Sequence, residues 1–267
     1  MSEPYEVGRF TYLPGRYVAC FHVVLVPYAL EKPEMLASLL KVFAGKKISI
    51  VHFKLSRPEP GRRVVASIFV DLTGREREED VLVRELNAGE FIEEVSVIRP
   101  LFDGITIDNV FPYLAMMRER VVIFRGIFYE ALLKRMRERV GTGYMAILYH
   151  AGLEIGRAVC AELMWYAGGD PVRTVVLGQE MFKQVGFGTI KADLNLREHR
   201  ATVRIWDCFE CELFKGSGKP ASHLMRGMMA GFLSEILGEE VHAQETRCIA
   251  AGDEYCEFRI SRERKIL

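Results

Sequence analysis

The spacing of apolar residues changes from one segment to the next over the first hundred positions, and this pattern constrains the fold more than any other feature. Alternating runs rich in β-branched and aromatic residues predict strands, whereas apolar residues three and four apart predict helices. The resulting order is β-α-β-β-α-β, which is the split βαβ or ferredoxin-like plan. The expected strands span residues 17–26, 47–55, 64–72 and 91–98, and the expected helices span 31–43 and 75–87.

The proline distribution marks the end of this first part. Eight of the ten prolines precede residue 113, and the segment 99–112 combines prolines with a glycine. Such residues are typical of turns and of joints between domains. We therefore predict an N-terminal domain over residues 1–104 and a second domain over residues 105–267.

The second part begins with helices and continues into strands, which predicts helices packed on an antiparallel sheet and makes the whole chain α+β. The expected helices span residues 110–117, 124–140, 145–167, 180–185 and 223–237. The expected strands span 187–194, 200–208 with an extension toward Leu213, 241–250 and 256–260.

The charge of the chain restricts its partners. Lysine and arginine total 36, as do aspartate and glutamate, so the formal net charge is +0. Such a chain has no long-range field to attract nucleic acid or an anionic membrane, and we expect direct binding to neither. No apolar run reaches the ~18 residues of a membrane span. The N-terminus lacks the apolar core of a signal peptide, so a cytoplasmic location is predicted.

Cysteines are concentrated near the C-terminus, where five of the six occupy the last 108 residues. Six are too few for a disulfide scaffold, and a metal site is the better interpretation of a cytoplasmic cluster. Cys248 and Cys256 flank a Gly-Asp pair typical of a turn, so two strands joined there would bring both thiols to one metal. The alternatives are a pair of buried thiols and a disulfide.

The pair Cys208 and Cys211 has a C-x2-C spacing whose meaning depends on local structure. In a continuous strand, residues three apart face opposite sides and do not ligate one metal. A break in the strand would allow a four-cysteine site with Cys248 and Cys256, for zinc or for an iron–sulfur cluster. His223, at the expected start of a helix, is a further candidate ligand, since imidazole commonly joins thiolates around zinc. Its alternative role is that of a polar helix-end residue.

Small residues form a stripe along the helix expected at 145–167. Glycine inside a helix costs roughly 0.5–1 kcal/mol relative to alanine, so the stripe needs a reason. One reason is a cavity beside the helix, and the other is close helix–helix packing. We predict a mainly apolar ligand pocket, because such pockets are lined by apolar groups with a few polar ones. Its expected lining is Gly152, Gly156, Cys160, Phe187 and Trp206.

Several short motifs occur together over residues 118–260. They are Tyr149-His150-Ala151-Gly152 with Gly156, Gly186-Phe187-Gly188, Pro220 to Gly227 with Gly231, and Glu245-x2-Cys248-x7-Cys256-x-Phe258. With these motifs the segment resembles a 4-vinyl reductase domain, a family named after reductases of chlorophyll-type pigment synthesis. Domains of this family also serve as sensor modules of aromatic-responsive transcription activators, in which a Cys followed by Glu-x2-Cys-x7-Cys holds a zinc ion.

The resemblance implies a structural zinc in this chain. Glu245, Cys248 and Cys256 match the family pattern, whereas the first cysteine of the pattern falls at or beside Ser222. The expected fourth ligand is therefore His223, with Cys208 or Cys211 as alternatives. The first hundred residues resemble an ACT domain in element order. ACT domains are regulatory modules that bind small ligands and pair with one another, which implies a homodimer.

These observations predict a cytoplasmic sensor or regulatory protein that binds a small apolar or aromatic molecule and holds a structural zinc. One alternative is a 4-vinyl-reductase-like enzyme or accessory protein acting on a tetrapyrrole or another apolar substrate. The sequence carries no dinucleotide motif and no catalytic motif, and hydride chemistry needs a bound carrier, so a binding role is favoured over an enzyme. A second alternative is a protein-interaction adaptor, because the fold of the family resembles that of vesicle-tethering subunits.

Overall fold

The computed structural model describes residue 7 and residues 9–56, 61–111, 113–117 and 119–262. The chain forms two compact units, Met1–Val122 and Ile123–Leu267. Both combine helices with antiparallel sheets, so the chain is α+β as predicted. The elements of the first unit are β1 (Phe10–Tyr12), β2 (Val18–Leu25), α1 (Pro33–Gly45), β3 (Ser49–Leu55), β4 (Val64–Asp71), α2 (Glu79–Asn87), β5 (Ile92–Ile98), β6 (Ile105–Ile107), β7 (Leu114–Met116) and β8 (Glu119–Val121).

The main sheet of the first unit is antiparallel and has the order β3-β4-β2-β5. Its central strands β2 and β4 carry apolar side chains on both faces, and Phe21 of β2 pairs in register with Ile68 of β4. Phe43 of α1 and Leu82 of α2 join the same apolar core. Burying such a side chain contributes about 1.5–3 kcal/mol. The order β2-α1-β3-β4-α2-β5 is the predicted one, and the ferredoxin-like or ACT-like assignment stays a prediction.

The segment after β5 belongs to the first unit because it is tied to that unit by pairing and by buried polar contacts. Strand β6 pairs antiparallel with β1. The buried carboxylate of Asp108 lies 3.0 Å from Nε2 of His22 and accepts a hydrogen bond of 3.2 Å from the Ser67 hydroxyl. A buried charge needs such partners. The first unit therefore continues past residue 104 to Val122.

The helix expected at residues 110–117 is wrong. Leu114–Met116 forms β7, which pairs antiparallel with β8. Met117 has a φ of +51°, and this left-handed conformation turns the chain between the two strands. A left-handed residue interrupts a right-handed helix, which explains why the apolar spacing misled.

The second unit places helices against a four-stranded antiparallel sheet with the order β11-β12-β10-β9. A π-helical turn, Ala131–Arg135, separates its first two short helices. The elements are α3 (Gly126–Glu130), α4 (Met136–Val140), α5 (Thr142–Tyr166), α6 (Pro171–Gln184), β9 (Thr189–Asn195), β10 (Arg200–Trp206), α7 (Phe209–Glu212), α8 (His223–Leu237), β11 (His242–Arg247) and β12 (Cys256–Ser261).

Helices α5 and α8 approach so closely that glycines are required between them. A Cβ atom at Gly152 would lie 2.2 Å from the carbonyl oxygen of Leu224, and one at Gly227 would lie 2.1 Å from that of Tyr149. The small-residue stripe predicted from the sequence is thus a helix–helix contact. Even α5, with 25 residues, lacks an apolar stretch able to span a lipid bilayer, as does every other helix in the described ranges.

Candidate metal centre and ligand groove

A break at the end of β10 gives the C-x2-C pair its geometry. Strand β10 ends at Trp206, and Asp207 has a φ of +53°. Cys208 then caps the short helix α7, which contains Cys211. Residues three apart on a helix face the same side, so both thiols point the same way, and the thiol of Cys208 contacts that of Cys211. The predicted extension of the strand toward Leu213 is wrong.

The turn between β11 and β12 brings Cys248 and Cys256 together. Cys248 follows β11 and Cys256 begins β12. The chain reverses through a short 3-10 turn that ends at Gly252, which has a φ of +107°. The carboxylate of Asp253 accepts a hydrogen bond of 2.8 Å from the Cys248 N–H, and the N–H of Ile249 donates to Sγ of Cys256 at 3.4 Å. Local hydrogen bonds therefore fix both thiols on one side of the turn.

Four donor atoms converge where these two segments meet. One ligand atom from each of Cys211, Glu245, Cys248 and Cys256 lies within 4.8 Å of the others, and we call this group the metal cluster. The Sγ atoms of Cys248 and Cys211 are 3.6 Å apart, and all six cysteines of the chain are free. The hydroxyl of Ser222 lies 2.7 Å from Sγ of Cys211 and donates to Glu245 Oε1 at 2.6 Å.

The electrostatics of the metal cluster favour a cation. Burial and a hydrogen bond with Cys248 raise the pKa of Glu245 to about 8. Hydrogen bonds from Cys211 and Cys256 lower the pKa of Cys208 to about 5, whereas contact with the other thiols raises the pKa of Cys211. The buried donors thus share protons, because uncompensated negative charges repel each other there. Thiolates and a carboxylate are sound zinc ligands, so this donor set fits zinc.

The structure sorts the residues predicted to bind metal. It brings together Glu245, Cys248 and Cys256, and Cys211 completes the group of four. Cys208 lies beside them, within contact of the thiols of Cys211 and Cys256. His223, predicted as the fourth ligand, is not part of this group, because its imidazole lines a groove and its Nε2 atom is buried without a hydrogen-bond partner.

One buried acid escaped the sequence reasoning. Oε1 of Glu210 accepts hydrogen bonds of 3.0 Å from the N–H groups of His223 and Leu224, and Oε2 accepts one of 2.8 Å from that of Met225. The carboxylate therefore caps α8 from a distant segment of the chain. Burial raises the pKa of Glu210 to about 7. Sequence signals for helix caps are local, so a cap supplied 13 residues upstream gave none.

A groove of about 1140 Å³ opens beside the start of α8. Its wall combines side chains of α5, of α8 and of all four strands of the second sheet. Apolar side chains on α5 face basic ones on α8 and the strands. The lining residues used below are Met145, Tyr149, His150, Leu153, Arg200, His223, Arg226, Arg259 and Arg262.

The five residues predicted to line a pocket lie in different surroundings, and none of them lines this groove. A Cβ atom at Gly156 would lie 2.2 Å from the carbonyl oxygen of Met228, which is the same kind of helix contact as at Gly152. Cys160 is completely buried in the core of the second unit. Phe187 stacks on Phe209 with ring centroids 4.7 Å apart, and Trp206 contacts Tyr255. Their role around a ligand stays a prediction.

Comparison with known proteins identifies the family. Residues 201–262 match the model of the 4-vinyl reductase domain. The chain is also 31% identical over 126 residues to the uncharacterized protein MJ0150 of Methanocaldococcus jannaschii, a match that covers 47% of this chain and 69% of that protein. The chain belongs to the 4-vinyl reductase domain family, which confirms the resemblance drawn from its motifs.

Two further proteins are similar to this chain. The phenol regulator MopR of Acinetobacter guillouiae is 31% identical over 77 residues, which are 27% of this chain and only 14% of MopR. The crystal structure of the phenol-responsive sensory domain of the transcription activator PoxR, with phenol, is 15% identical and has a TM-score of 0.48. That match covers 58% of this chain and 79% of the PoxR chain.

Proposed function

We propose that the chain is a small-molecule-responsive regulatory protein whose 4-vinyl reductase domain holds a structural zinc ion. The observation that carries this proposal is the buried metal cluster, in which three thiols and a carboxylate lie within 4.8 Å of one another. Four protein ligands would leave no open coordination position, so the metal would stabilise the fold and not act in catalysis.

The metal cluster joins three segments that are distant in sequence. Cys211 comes from α7, Glu245 from β11, and Cys248 and Cys256 from the turn that connects β11 to β12. Zinc bound here would lock these segments together. The effect would extend to α8, because Ser222 directly precedes that helix and hydrogen-bonds Glu245. The proposed metal therefore supports one wall of the groove.

The groove is the proposed site for a small apolar or aromatic ligand. Met145, Tyr149 and Leu153 of α5 provide apolar surface, and polar groups opposite them would orient the molecule. The regulator MopR, named for phenol, supports this proposal through its sequence similarity to the chain. The predicted alternatives of an enzyme acting on a tetrapyrrole and of an adaptor remain open to the same binding experiments.

We also propose that the protein acts as a homodimer. The helical segment that begins at α3 exposes a row of large apolar side chains, with 54% of Phe124, 67% of Ile127, 61% of Phe128 and 50% of Leu132 accessible. Contiguous apolar surface of this kind is typical of interaction sites. A second copy of the chain would cover it symmetrically, as in most closed oligomers.

Native mass spectrometry with elemental analysis of the untagged full chain tests the metal proposal. We expect about one zinc per chain and loss of zinc in Cys248→Ser. The matched control is Cys160→Ser, since Cys160 is equally buried but lies outside the metal cluster. A metal-free preparation, or a disulfide between Cys248 and Cys256 in reducing buffer, would contradict the proposal.

A second pair of variants identifies the fourth ligand. Glu245→Gln removes the carboxylate, and Cys208→Ser removes the thiol that lies beside the metal cluster. We expect zinc loss in Glu245→Gln and retention in Cys208→Ser, because the four converging donors include Glu245. The reverse result would assign the site to four cysteines.

A further inference from the structure

We propose that the groove selects ligands with a carboxylate group, which Arg226 and His223 receive from the start of α8. This inference rests on the proposed function, because it specifies the chemical class of the ligand in the same groove. It follows from polar groups in the wall that the fold itself leaves without partners.

The guanidinium of Arg226 differs from the other arginines of the groove. Arg200 lies 3.9 Å from Glu198, Arg259 lies 3.9 Å from Glu257, and Arg262 pairs with Glu239. Arg226 has no carboxylate partner among the described residues, and its Nε is buried without a hydrogen bond. A buried donor left unsatisfied costs about 1–3 kcal/mol, so a ligand acceptor at this position would be favourable.

His223 supplies a second donor on the same wall. Its Nε2 atom is also buried without a hydrogen-bond partner. Burial and the neighbouring guanidinium groups of Arg137 and Arg226 lower the pKa of His223 to about 4. The imidazole is thus neutral near pH 7, and a neutral imidazole carries one N–H that donates to an anion.

The position of Arg226 favours a ligand with an apolar body. The guanidinium carbon lies 4.9 Å from the centroid of the Tyr149 ring, so the side chain is held against α5. Tyr149, Met145 and Leu153 extend apolar surface from that point. A planar guanidinium binds a carboxylate through two parallel hydrogen bonds. One free guanidinium and one neutral imidazole match a single negative charge, which favours a carboxylate over a phosphate dianion.

Isothermal titration of the zinc-loaded full chain tests this inference with three pairs of probes: benzoate and benzamide, 3-phenylpropionate and its amide, and octanoate and its amide. Each pair has nearly the same shape and differs in charge. We expect at least one carboxylate to bind about tenfold or more tightly than its amide, because hydrogen bonds to charged groups are worth about 1.5–3 kcal/mol. Inorganic phosphate should bind more weakly than that carboxylate.

Arg226→Gln should abolish the preference for the carboxylate, and Arg226→Lys should retain part of it. Arg259→Gln, which removes a groove arginine that already has a carboxylate partner, is the control and should keep the preference. Zinc content and circular dichroism confirm that each variant is folded. Equal affinity for acids and amides would overturn the carboxylate site but leave the sensor proposal standing. Absence of binding by all six organic probes would overturn both.

Discussion

Replacing Gly156 by alanine tests the contact between α5 and α8 most directly. The added Cβ would lie 2.2 Å from the Met228 carbonyl oxygen and 2.8 Å from the Phe232 nitrogen. Both atoms belong to the backbone of α8, which cannot move without displacing the whole helix. Carbon atoms prefer separations of about 3.5–4.0 Å, so the helices would have to separate by roughly 1 Å or more.

The expected change in free energy of unfolding has two opposing parts. Overpacking a tight core costs about 1–3 kcal/mol. Replacing glycine by alanine inside a helix returns roughly 0.5–1 kcal/mol. We therefore expect Gly156→Ala to destabilise the second unit by about 1–2 kcal/mol. For a unit of this size the melting temperature should fall by roughly 2–8 °C.

Tryptophan fluorescence measures this effect selectively. The chain has two tryptophans, Trp165 and Trp206, and both belong to the second unit. Thermal unfolding followed by their fluorescence therefore reports on that unit without a contribution from the first.

Gly143→Ala is the matched control in the same helix. No atom lies within 4 Å of the position where its Cβ would be built. Stability should be unchanged or raised by less than about 1 kcal/mol. Equal stability of Gly156→Ala and Gly143→Ala would refute the tight contact, and the glycines of α5 would then be free to line a ligand pocket.

Three further predictions concern other parts of the molecule. Asp108→Ala should destabilise the first unit by roughly 3–5 kcal/mol, because it leaves the buried His22 and Ser67 without their acceptor, and calorimetry should show little change for the exposed Asp103→Ala. Burial raises the pKa of both Cys20 and Cys160 to about 12, so neither should react with iodoacetamide at about pH 8 in the folded protein, even after a chelator exposes the metal cluster; peptide mass spectrometry that finds either one alkylated would contradict this. Phe128→Glu should convert the dimer to a monomer in light scattering, and a wild-type monomer at micromolar concentration would refute the dimer proposal.

The local patterns of the sequence predicted most of the first unit correctly. The order of strands and helices from β2 to β5 follows from apolar spacing, since each element buries one face or both. The turn between Cys248 and Cys256 was equally accessible, because Gly-Asp chemistry and the Glu-x2-Cys spacing are local. In these segments the nearest neighbours in sequence decide the structure.

Contacts between distant segments were not accessible in the same way. Cys211 joins the metal cluster because the chain breaks at Asp207, whose positive φ no spacing rule reveals. Helix α6 begins at Pro171, nine residues before the expected position, and Asp170 caps it by accepting from Val172 and Arg173. This start follows known capping rules, but its weak apolar pattern hid the first turns.

The position of Ser222 has a thermodynamic consequence. Its hydroxyl bonds Glu245 and Cys211 of the metal cluster, and the next residue, His223, lines the groove. A single peptide bond thus separates the two proposed sites. If the start of α8 shifts when a ligand binds, the affinity for zinc must change with it. Linkage then requires that zinc alter the affinity for the ligand by the same factor. A cell that varied its available zinc would thereby also vary the ligand concentration at which this protein responds.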